Sequence, residues 1–430
     1  MPSEDRFDIV IYGATGFTGL RCITSYVSSK LFKGITLAVA GRNETKLRQA
    51  LDKISIETGV NTRDVSIIVA STEDPESLHK MARRARVIVN AVGPYRLHGE
   101  AVVKAAVEEG ASHVDISGEP AFLEKMQMKY GELAKEKGVY VVGACGWDSI
   151  PADLGVNYLK KHFPGDLNHV ETFVQLLTGP AGYSFNAGTY QTLVLGISSV
   201  MSDKLGQIRR QIMPEKIPRS AIRPPKRGKL WQIDAGELNG GWALPFMGSD
   251  KSIVQRSQYY QYVEKQERPV AIETYIRIGS LLWAVLLVVW VSIFSLFCMW
   301  TPTRRFLQKY PDLCSFNMFK NAGPTQEQME QAGFIYWFIG SGYSERKSLN
   351  EQHQGQPDKR VVVSCRGPDA GYIATSAMVM SSALAIINDK KTLPKNGGVY
   401  TTASAFADTK IYEYLRDFGV TFQVENEAKL

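Results

Sequence analysis

The stretch GATGFTG (Gly13–Gly19) follows directly after a short apolar run, Asp8–Tyr12, and precedes a helical pattern. Gly13 permits a tight turn at the end of a strand, and Gly19 lets the next helix pack closely on that strand. Gly16 lets the backbone approach a pyrophosphate, which the free N–H groups and positive dipole of a helix N-terminus attract. The stretch therefore predicts a strand–turn–helix unit that binds a dinucleotide.

Five further apolar runs follow at intervals that are typical of strands alternating with helices. These predicted strands are Ile35–Val39, Val65–Val69, Val87–Asn90, His113–Ile116 and Val139–Gly143. Asn43 is predicted to cap a helix over Glu44–Ile56, and Asp74 to cap another that begins at Pro75. Repeated βαβ units predict an α/β fold class with a Rossmann-like, doubly wound parallel sheet over residues 1–150.

Beyond residue 150 the regular alternation ends, which predicts a mixed α/β second domain over residues 151–373. The strands predicted there and later in the chain are Val170–Leu177, Leu230–Ala235, Phe334–Ile339, Arg360–Cys365, Gly398–Thr402 and Val420–Val424. The predicted helices are one capped by Asn186 and continuing to about Gln211, Ala374–Asn388, and one ending near Phe418. Pro214–Lys229 combines prolines with basic residues, which predicts an extended loop that is either solvated or in contact with anionic lipid headgroups.

The end of the second predicted strand decides which nicotinamide dinucleotide fits. NAD sites usually place a carboxylate there to bind the ribose 2′-hydroxyl, but this strand ends in Ala40-Gly41-Arg42. Arg42, with Lys46 one turn later, can pair with a 2′-phosphate through charge-assisted hydrogen bonds. NADP(H) is therefore the preferred cofactor. NAD(H) stays open, because Arg42 is alternatively only a solvated side chain at a helix entrance.

Ligands of open α/β sheets lie outside the carboxyl ends of the strands, so the other strand ends supply further contacts. The predicted cofactor-binding residues are Gly13, Thr15, Gly16, Phe17, Thr18, Gly19, Arg42, Lys46, Ser71, Asn90, Gly93, Pro94 and Tyr95. The candidates for proton transfer are Tyr95, His98, Asp115 and Asp148. Each has a structural alternative: Tyr95 shelves the nicotinamide, His98 caps a helix, and the two aspartates anchor loops.

The chain has 430 residues and a formal net charge of +7, with 44% hydrophobic and 22% charged residues. This composition is typical of a globular protein and excludes a disordered, collagenous or coiled-coil protein. The five cysteines are widely spaced without a CxxC pair, which argues against a disulfide framework or a structural zinc site. Neither metal-ligand spacing nor an aromatic-basic array occurs, so no metal and no nucleic acid partner is predicted. The acidic start, Met1–Asp5, predicts that the protein is not secreted.

Ile278–Trp300 is a run of 23 residues without a charge. As a helix it would be about 35 Å long, enough for the core of a bilayer. Arg277 precedes it and Arg304 and Arg305 follow it, as is typical of membrane-flanking positions. The run therefore predicts contact with a lipid droplet or membrane surface.

A simple membrane span conflicts with the expectation that the segments before and after this run belong to one fold. The favoured hypothesis is a monotopic insertion that enters and leaves by the same face, with Phe306–Phe319 as the returning arm. Two alternatives stay open: a spanning helix, and a helix buried against a partner subunit in a homodimer.

Six stretches along the chain resemble the saccharopine dehydrogenase family, and in particular its saccharopine dehydrogenase-like oxidoreductase subgroup. They are GATGFTG (Gly13–Gly19), AGRN (Ala40–Asn43), NAVGPYRLHGE (Asn90–Glu100), HVDISGE (His113–Glu119), GWDSIPADLG (Gly146–Gly155) and GGVYTTASAF (Gly397–Phe406). The resemblance implies a bilobal protein with a dinucleotide-binding first domain, a substrate domain, and a C-terminal helical return, residues 374–430, onto the first domain. It also implies association with lipid droplets or cytosol-facing membranes.

The expected function is that of an NADP(H)-dependent oxidoreductase acting at a lipid surface on a carbonyl, imine or enoyl group. Saccharopine is highly polar, which makes it a poor match for an enzyme with a 23-residue apolar segment. More distant relatives of the family include trans-acting enoyl reductases of glycolipid synthesis, so a lipid-linked substrate is the second expectation. The alternative function is a catalytically silent, nucleotide-binding interaction protein of lipid droplets or membranes.

Overall fold

The computed structural model describes residues 6–220, 222–234, 238 and 240–429. Its strands are Phe7–Tyr12 (β1), Leu37–Gly41 (β2), Ser66–Val69 (β3), Ala85–Asn90 (β4), Ser112–Asp115 (β5), Tyr140–Val142 (β6), Asp166–Leu177 (β7), Phe185–Asn186 (β8), Trp231–Gln232 (β9), Trp242–Pro245 (β10), Ala271–Ile278 (β11), Phe319–Lys320 (β12), Gly333–Tyr343 (β13), Lys359–Pro368 (β14), Gly398–Tyr400 (β15) and Thr421–Lys429 (β16).

The α-helices are Phe17–Ser28 (α1), Glu44–Thr58 (α2), Pro75–Arg83 (α3), Tyr95–Glu108 (α4), Pro120–Lys137 (α5), Ile150–His162 (α6), Ala187–Ser199 (α7), Leu205–Ile212 (α8), Asp250–Lys265 (α9), Leu281–Met299 (α10), Thr301–Lys309 (α11), Pro311–Cys314 (α12), Gln326–Gln331 (α13), Thr375–Asn388 (α14), Thr402–Phe406 (α15) and Ile411–Asp417 (α16). A 3₁₀ turn covers Lys30–Phe32, and a π-helical turn, Ala370–Ala374, leads into α14.

The first compact unit comprises the described residues up to Trp147, together with Leu205–Ile212 and Gly371–Phe418. Its seven-stranded sheet has the order β15-β6-β5-β4-β1-β2-β3, and every pair in it is parallel. From β1 the chain passes to β2 and β3 on one side and then returns to β4, β5 and β6 on the other. The boundary between β1 and β4 is therefore the switch point of a doubly wound sheet. The predicted Rossmann-like α/β fold is confirmed.

The helix starts in this unit obey the predicted capping. Asn43 Oδ1 accepts a hydrogen bond of 2.9 Å from the Lys46 N–H at the start of α2. Asp74 Oδ1 accepts one of 3.4 Å from the Ser77 N–H at the start of α3, where Pro75 occupies the first turn. Both predicted caps are confirmed. They fix the loops that follow β2 and β3, at the edge of the sheet where a ligand is expected.

The second compact unit comprises Asp148–Lys204, Met213–Ala370 and the described residues from Gly419 onward. Its seven-stranded sheet has the order β16-β14-β13-β7-β11-β10-β9. β7 and β11 pair in parallel, and the other neighbouring strands pair antiparallel. The long central strand β7 carries a nearly continuous buried run from Leu167 to Val174, as a strand covered on both faces should. The second sheet is thus mixed, as the sequence predicts.

Two expected domain limits differ from these units. The first unit ends at Trp147 rather than at residue 150, and it also takes in α8 from the middle of the chain. The expected C-terminal return, residues 374–430, is divided, because β16 pairs antiparallel with β14 of the second sheet. Hydrogen bonding along a sheet edge, which leaves no mark in local sequence, decides where the last strand belongs.

Two expected elements also change. The helix capped by Asn186 ends at Ser199, and α8 begins only at Leu205. Lys204 has a φ of +50°, a conformation that cannot continue a right-handed helix. The expected strand Leu230–Ala235 is reduced to β9, and Ala235 lies outside the described residues.

The basic loop 214–229 contains neither helix nor strand among its described residues. One cation of the loop is paired within the unit, because the Arg227 guanidinium donates two hydrogen bonds of 2.9 and 3.0 Å to the Glu171 carboxylate. The same guanidinium lies 4.4 Å from the ring centroid of Trp231. The other cations of the loop, Lys216, Arg219, Arg223, Lys226 and Lys229, are exposed. Contact of these residues with lipid headgroups stays a prediction.

The apolar run 278–300 contains the single helix α10, which follows β11 directly. One stripe of the helix is buried: Phe294 and Cys298 pack in an apolar cluster with residues of α7 and α11, and Ala284, near the start of the helix, is also buried. Its exposed large side chains include Leu281, Leu282, Trp283, Val285, Leu286, Val288, Val289, Ile293, Leu296, Phe297 and Met299. Arg277, which precedes this helix, lies in β11, and its guanidinium donates to Gln175 Oε1 of β7 and to the carbonyl of Gly240, so part of its hydrogen-bonding capacity is used within the unit.

Candidate functional site

The glycine turn lies at the carboxyl end of β1, at the switch point of the first sheet. Gly13 has a φ of +87°, and a Cβ there would lie 2.7 Å from Val92 Cγ2, so only glycine fits without a shift of the neighbouring loop. A Cβ on Gly19 would collide with the carbonyl oxygen of Gly13, because α1 packs directly on the turn. Gly16 is less crowded, and its N–H donates to the Gly13 carbonyl at 2.9 Å. The roles predicted for Gly13 and Gly19 match this geometry.

The N-terminus of α1 opens beside this turn. Gly16 is the N-cap and offers no side-chain oxygen, and the first turn carries no acidic residue. The first intrahelical bond runs from the Leu20 N–H to the Gly16 carbonyl, so the N–H groups of Phe17, Thr18 and Gly19 have no acceptor within the helix. Thr15 and Gly16 are exposed. Free N–H groups at an open helix end without a competing carboxylate are suited to bind a pyrophosphate.

The structure places Arg42 and Lys46 at the carboxyl end of the adjacent strand β2. Both side chains are exposed, and the N-cap bond of Asn43 sets them one turn apart at the start of α2. Glu44, which lies between Arg42 and Lys46 in sequence, is the acidic residue in the first turn of the same helix. Both side chains are therefore placed at the end of β2, the position from which ribose-binding residues act in this type of sheet.

The loop after β4 is braced by its own residues. Asn90 is fully buried, and its Oδ1 accepts from the Val92 N–H at 3.1 Å. The Tyr95 hydroxyl donates to the Asn90 carbonyl at 2.8 Å and accepts from the Ile116 N–H at 3.4 Å. Burial, and then the charge of Asp115, raise the pKa of the Tyr95 phenol well above its ordinary value. The exposed surface of this loop is presented by Gly93, which precedes Pro94 through a cis peptide bond.

Glu119 has a role that sequence reasoning did not assign. Its carboxylate accepts from the Tyr95 N–H at 2.8 Å and from the Arg96 N–H at 3.2 Å, so it caps α4 from another segment of the chain. The N-cap residue of α4 is Pro94, whose side chain makes no cap hydrogen bond. The missing cap was a detectable signal, but a partner 24 residues away was not predictable from local sequence.

Asp115 joins the two loops that follow β5 and β6. Its buried Oδ1 accepts from the Ser117 N–H at 2.9 Å and from the Ala144 N–H at 3.1 Å, where Ala144 has a φ of +60°. Burial raises the pKa of Asp115 to about 7, and burial also lowers the pKa of His113 to about 3. The contacts match the loop-anchoring alternative, while a proton held near neutral pH keeps the proton-transfer candidate open.

His98 and Ser71 are the predicted site residues that lie at the loop following β3. His98 Nδ1 is 3.5 Å from Thr72 Oγ1, in the loop after β3, and the His98 N–H bonds within the first turn of α4. Ser71 Oγ accepts from the Glu73 N–H at 3.2 Å. His98 is therefore not a helix cap, and its half-buried ring remains accessible at the β3 side of the switch point.

Asp148 belongs to the second unit, whereas the other candidates for proton transfer belong to the first. Its carboxylate accepts from the Ser249 hydroxyl at 3.3 Å, at the start of α9. Asp250, the next residue, is buried and accepts from the Tyr336 hydroxyl at 3.0 Å. Burial raises the pKa of Asp148, and burial with the charge of Asp148 raises the pKa of Asp250. Sequence reasoning missed Asp250 and Tyr336, because no local pattern brings them to Asp148.

In the part of the chain that the structure describes, no group of three or more His, Cys, Asp or Glu side chains is arranged to hold a metal ion. The first unit instead brings together the glycine turn, Arg42, Lys46, Ser71, His98 and the loop of Asn90–Tyr95. A parallel sheet with such a turn at its switch point defines a dinucleotide-binding protein of the Rossmann type.

Comparisons with known proteins give the family. The Saccharopine dehydrogenase NADP binding domain matches residues 9–142. The "Lipid droplet localized protein" of Caenorhabditis elegans is 60% identical over 99% of this chain and 100% of its own length. The "Saccharopine dehydrogenase-like oxidoreductase" of Homo sapiens is 37% identical over 100% of both chains. The chain therefore belongs to the saccharopine dehydrogenase-like oxidoreductase family.

The fold has a counterpart among solved structures. Apo saccharopine dehydrogenase (L-Glu forming) from Saccharomyces cerevisiae matches with a TM-score of 0.53, 13% identity, and coverage of 98% of this chain and 99% of that one. At this identity the match shows the shared fold. The matching domain indicates a nicotinamide dinucleotide as the cofactor.

Proposed function

We propose that the chain is an NADP(H)-dependent oxidoreductase that works at the surface of a lipid droplet or membrane. Its substrate would carry a carbonyl, imine or enoyl group, either on a small molecule or linked to a lipid. The observation that carries the proposal is the pairing, in one chain, of an open glycine turn flanked by two cations with a helix whose large apolar side chains are exposed.

The first unit fits the phosphates of NADP(H) through its backbone and two side chains. Because Gly13 and Gly19 have no Cβ, the turn can pack close to the N-terminus of α1, whose N–H groups attract a pyrophosphate. Arg42 and Lys46 would pair with the negatively charged 2′-phosphate. The neutral 2′-hydroxyl of NAD(H) offers them no charge to pair with. The bound cofactor would supply or accept the hydride. The braced loop Asn90–Tyr95 would hold the nicotinamide half in place.

The second unit supports a one-sided attachment to lipid. The N-terminal part of α10 lies against β10 and β11, and its C-terminal part packs on α7 and α11. A helix held by its own unit at both ends lies along a lipid surface more readily than across a bilayer. The relative from Caenorhabditis elegans is named for its localisation to lipid droplets, which supports the same surface for this chain.

Calorimetry with NADPH and NADH tests the cofactor. The wild-type chain is expected to bind NADPH more tightly, and Arg42→Ala to weaken NADPH binding about tenfold or more, since it removes a charge-assisted contact. NADH binding should change little. Arg48→Ala is the matched control, because Arg48 is exposed on the same helix and bonds to the Arg63 carbonyl. Failure of the wild-type chain to bind either cofactor would refute the enzyme proposal.

Flotation with triolein droplets tests the attachment. Val289→Asp places a charge on the exposed face of α10 and is expected to shift the protein from the droplet layer to the aqueous layer. Tags at both termini should remain sensitive to added protease on microsomes, as one-sided attachment requires. Protection of one tag would establish a span. A stable dimer that buries α10 without lipid would support the homodimer instead, and light scattering measures it.

A catalytically silent nucleotide-binding protein is the second candidate, and one observation favours it. Tyr95 and Asp115, the two central proton-transfer candidates, are both committed to hydrogen bonds that brace loops. A panel of carbonyl, imine and enoyl substrates at droplet surfaces distinguishes the two. NADPH binding without turnover on the whole panel would favour the silent protein, and turnover on any lipid-linked substrate would exclude it.

A further inference from the structure

The segment Leu313–Met318, called the lipid tip below, exposes apolar side chains beside α10. Phe316 is 83% exposed and Leu313 is 68% exposed, and Met318 is also exposed. The tip begins with the last two residues of α12 and ends just before β12, so it belongs to neither the long helix nor the second sheet. Large apolar side chains collected at one place on a surface mark a site of contact with a partner or a membrane.

The backbone of the lipid tip holds these side chains outward at a conformational cost. Phe316 and Asn317 are consecutive non-glycine residues with φ values of +52° and +62°. A bulky residue in this region is unusual, and such conformations persist where surrounding contacts impose them. Here the Asn317 N–H donates to the Asp312 carbonyl at 2.8 Å and the Met318 N–H to the Ser315 carbonyl at 2.9 Å.

The lipid tip is hydrogen-bonded to α10. The Trp290 indole N–H donates to the Cys314 carbonyl at 3.1 Å. The buried hydroxyl of Ser315 accepts from the Phe319 N–H at 2.9 Å and closes the base of the tip. Phe319 itself packs in the apolar cluster that also contains Phe294 of α10. The base of the tip is therefore bonded to α10 and packed in this cluster, while Leu313 and Phe316 stay exposed.

The charge next to the lipid tip identifies its partner. Along the chain, α11 lies between α10 and the tip, and its nine residues include Arg304, Arg305 and Lys309 and no carboxylate. Asp312, directly before the tip, carries one carboxylate, which accepts from the Asn321 side-chain amide at 3.0 Å, so cations outnumber carboxylates next to the tip. Phe306, on the same helix, is exposed. Exposed apolar side chains bordered by cations match a lipid surface with anionic headgroups, where the ring inserts and the cations meet phosphate.

We infer that the lipid tip is a second, independent lipid-inserting element, in which Phe316 and Leu313 enter an anionic phospholipid layer while Arg304, Arg305 and Lys309 contact its headgroups. The inference rests on the proposed attachment of the chain to lipid. It adds a second point of contact beside α10, so that the second unit meets the lipid surface at two places.

Binding of the full-length chain to triolein droplets tests this inference. The droplets are coated with phosphatidylcholine, with or without about one-fifth phosphatidylserine. Leu313→Ser with Phe316→Ser should reduce the bound fraction about tenfold or more, because two apolar side chains no longer leave water. Ile56→Ser is the matched control, since Ile56 is 81% exposed on α2 of the other unit. Phosphatidylserine should strengthen binding, and Arg304→Gln with Arg305→Gln should abolish that gain.

A fluorescent label shows insertion directly. An environment-sensitive dye on Phe316→Cys, in a Cys314→Ser background, should shift its emission to the blue on droplets, and a dye on Ile56→Cys should not. If the wild-type chain floats with droplets but the tip variants bind as well as wild type and the dye stays in water, the inference is wrong and the attachment by α10 stands. If the wild-type chain does not bind droplets at all, both fail. Dimerisation through the tip without lipid would also overturn the inference.

Discussion

Two helices of this chain are equally long and both apolar, but they have opposite surroundings. Leu281–Met299 and Ala370–Asn388 are each 19 residues long, and both are apolar enough to cross a membrane by length and composition. In the most apolar window of the first, 17% of the residues are buried, whereas 83% are buried in that of the second. The stretch that ends in α14 is thus a core helix of the nucleotide-binding unit, while α10 presents its side chains outward.

The difference lies in the size and polarity of the side chains. α14 interleaves apolar residues with alanines and serines, which let it approach β4, β5 and α1 closely. The Ser382 hydroxyl donates to the Met378 carbonyl at 2.8 Å, so the polar group is satisfied inside the helix. α10 carries mostly Leu, Val, Ile, Phe and Trp, which are too bulky for such close packing on all sides. Mean apolarity predicts that a helix avoids water, and the pattern of small residues predicts what it packs against.

The largest expected effect is a loss of stability in α14 that α10 does not show. Leu384 is fully buried, so Leu384→Ala should lower the free energy of unfolding by about 2–5 kcal/mol through lost burial and a residual cavity. Leu286 is exposed on α10, and Leu286→Ala should change it by less than about 0.5 kcal/mol. Guanidinium-induced unfolding in a mild detergent measures the free energy of unfolding of both variants and of wild type. Similar losses in both would mean that α10 is buried in solution, for example against a second subunit.

The next effect concerns pH, and it arises where α14 packs on β5, the strand that ends in Asp115. Burial raises the pKa of Asp115 from 3.8 to about 7, so the folded state keeps a proton that the unfolded state has lost. Stability from this group is present below about pH 4 and is lost as the pH rises through about 7. At 1.36 kcal/mol per pH unit, the loss is at most about 4 kcal/mol.

Asp115→Asn isolates this contribution, because an amide oxygen can still accept from the two loop N–H groups. The variant should match wild type near pH 4 and exceed it in unfolding free energy at pH 8, with the gap opening between those values. Asp148 and Asp250 titrate in both proteins and cancel in the difference. A gap that does not change with pH would show that Asp115 is ionised in the folded protein throughout this range.

Most of the first unit could be predicted from the sequence, because its information is local. The glycine turn, the caps at Asn43 and Asp74, and the alternation of strands each depend on residues a few positions apart. The residues that sequence reasoning missed act across the chain: Glu119 caps a distant helix, Tyr336 meets Asp250, and β16 joins the second sheet. Periodicity does not encode such pairings, since only the folded topology brings these segments together.

The smallest expected effect compares two threonines, one at each helix. Thr375, at the start of α14, is buried and its Oγ1 accepts from the Trp147 N–H at 3.1 Å. Thr375→Val keeps the shape but leaves that N–H without this acceptor, so it should cost about 1–2 kcal/mol of unfolding free energy. Thr303 follows α10, is partly exposed, and donates to the Phe297 carbonyl at 2.6 Å. Thr303→Val should cost only a few tenths, because water replaces the hydroxyl. Chemical denaturation measures both losses of unfolding free energy. If the two losses are equal, the two helix ends are equally shielded from water, which would contradict the contrast between α14 and α10.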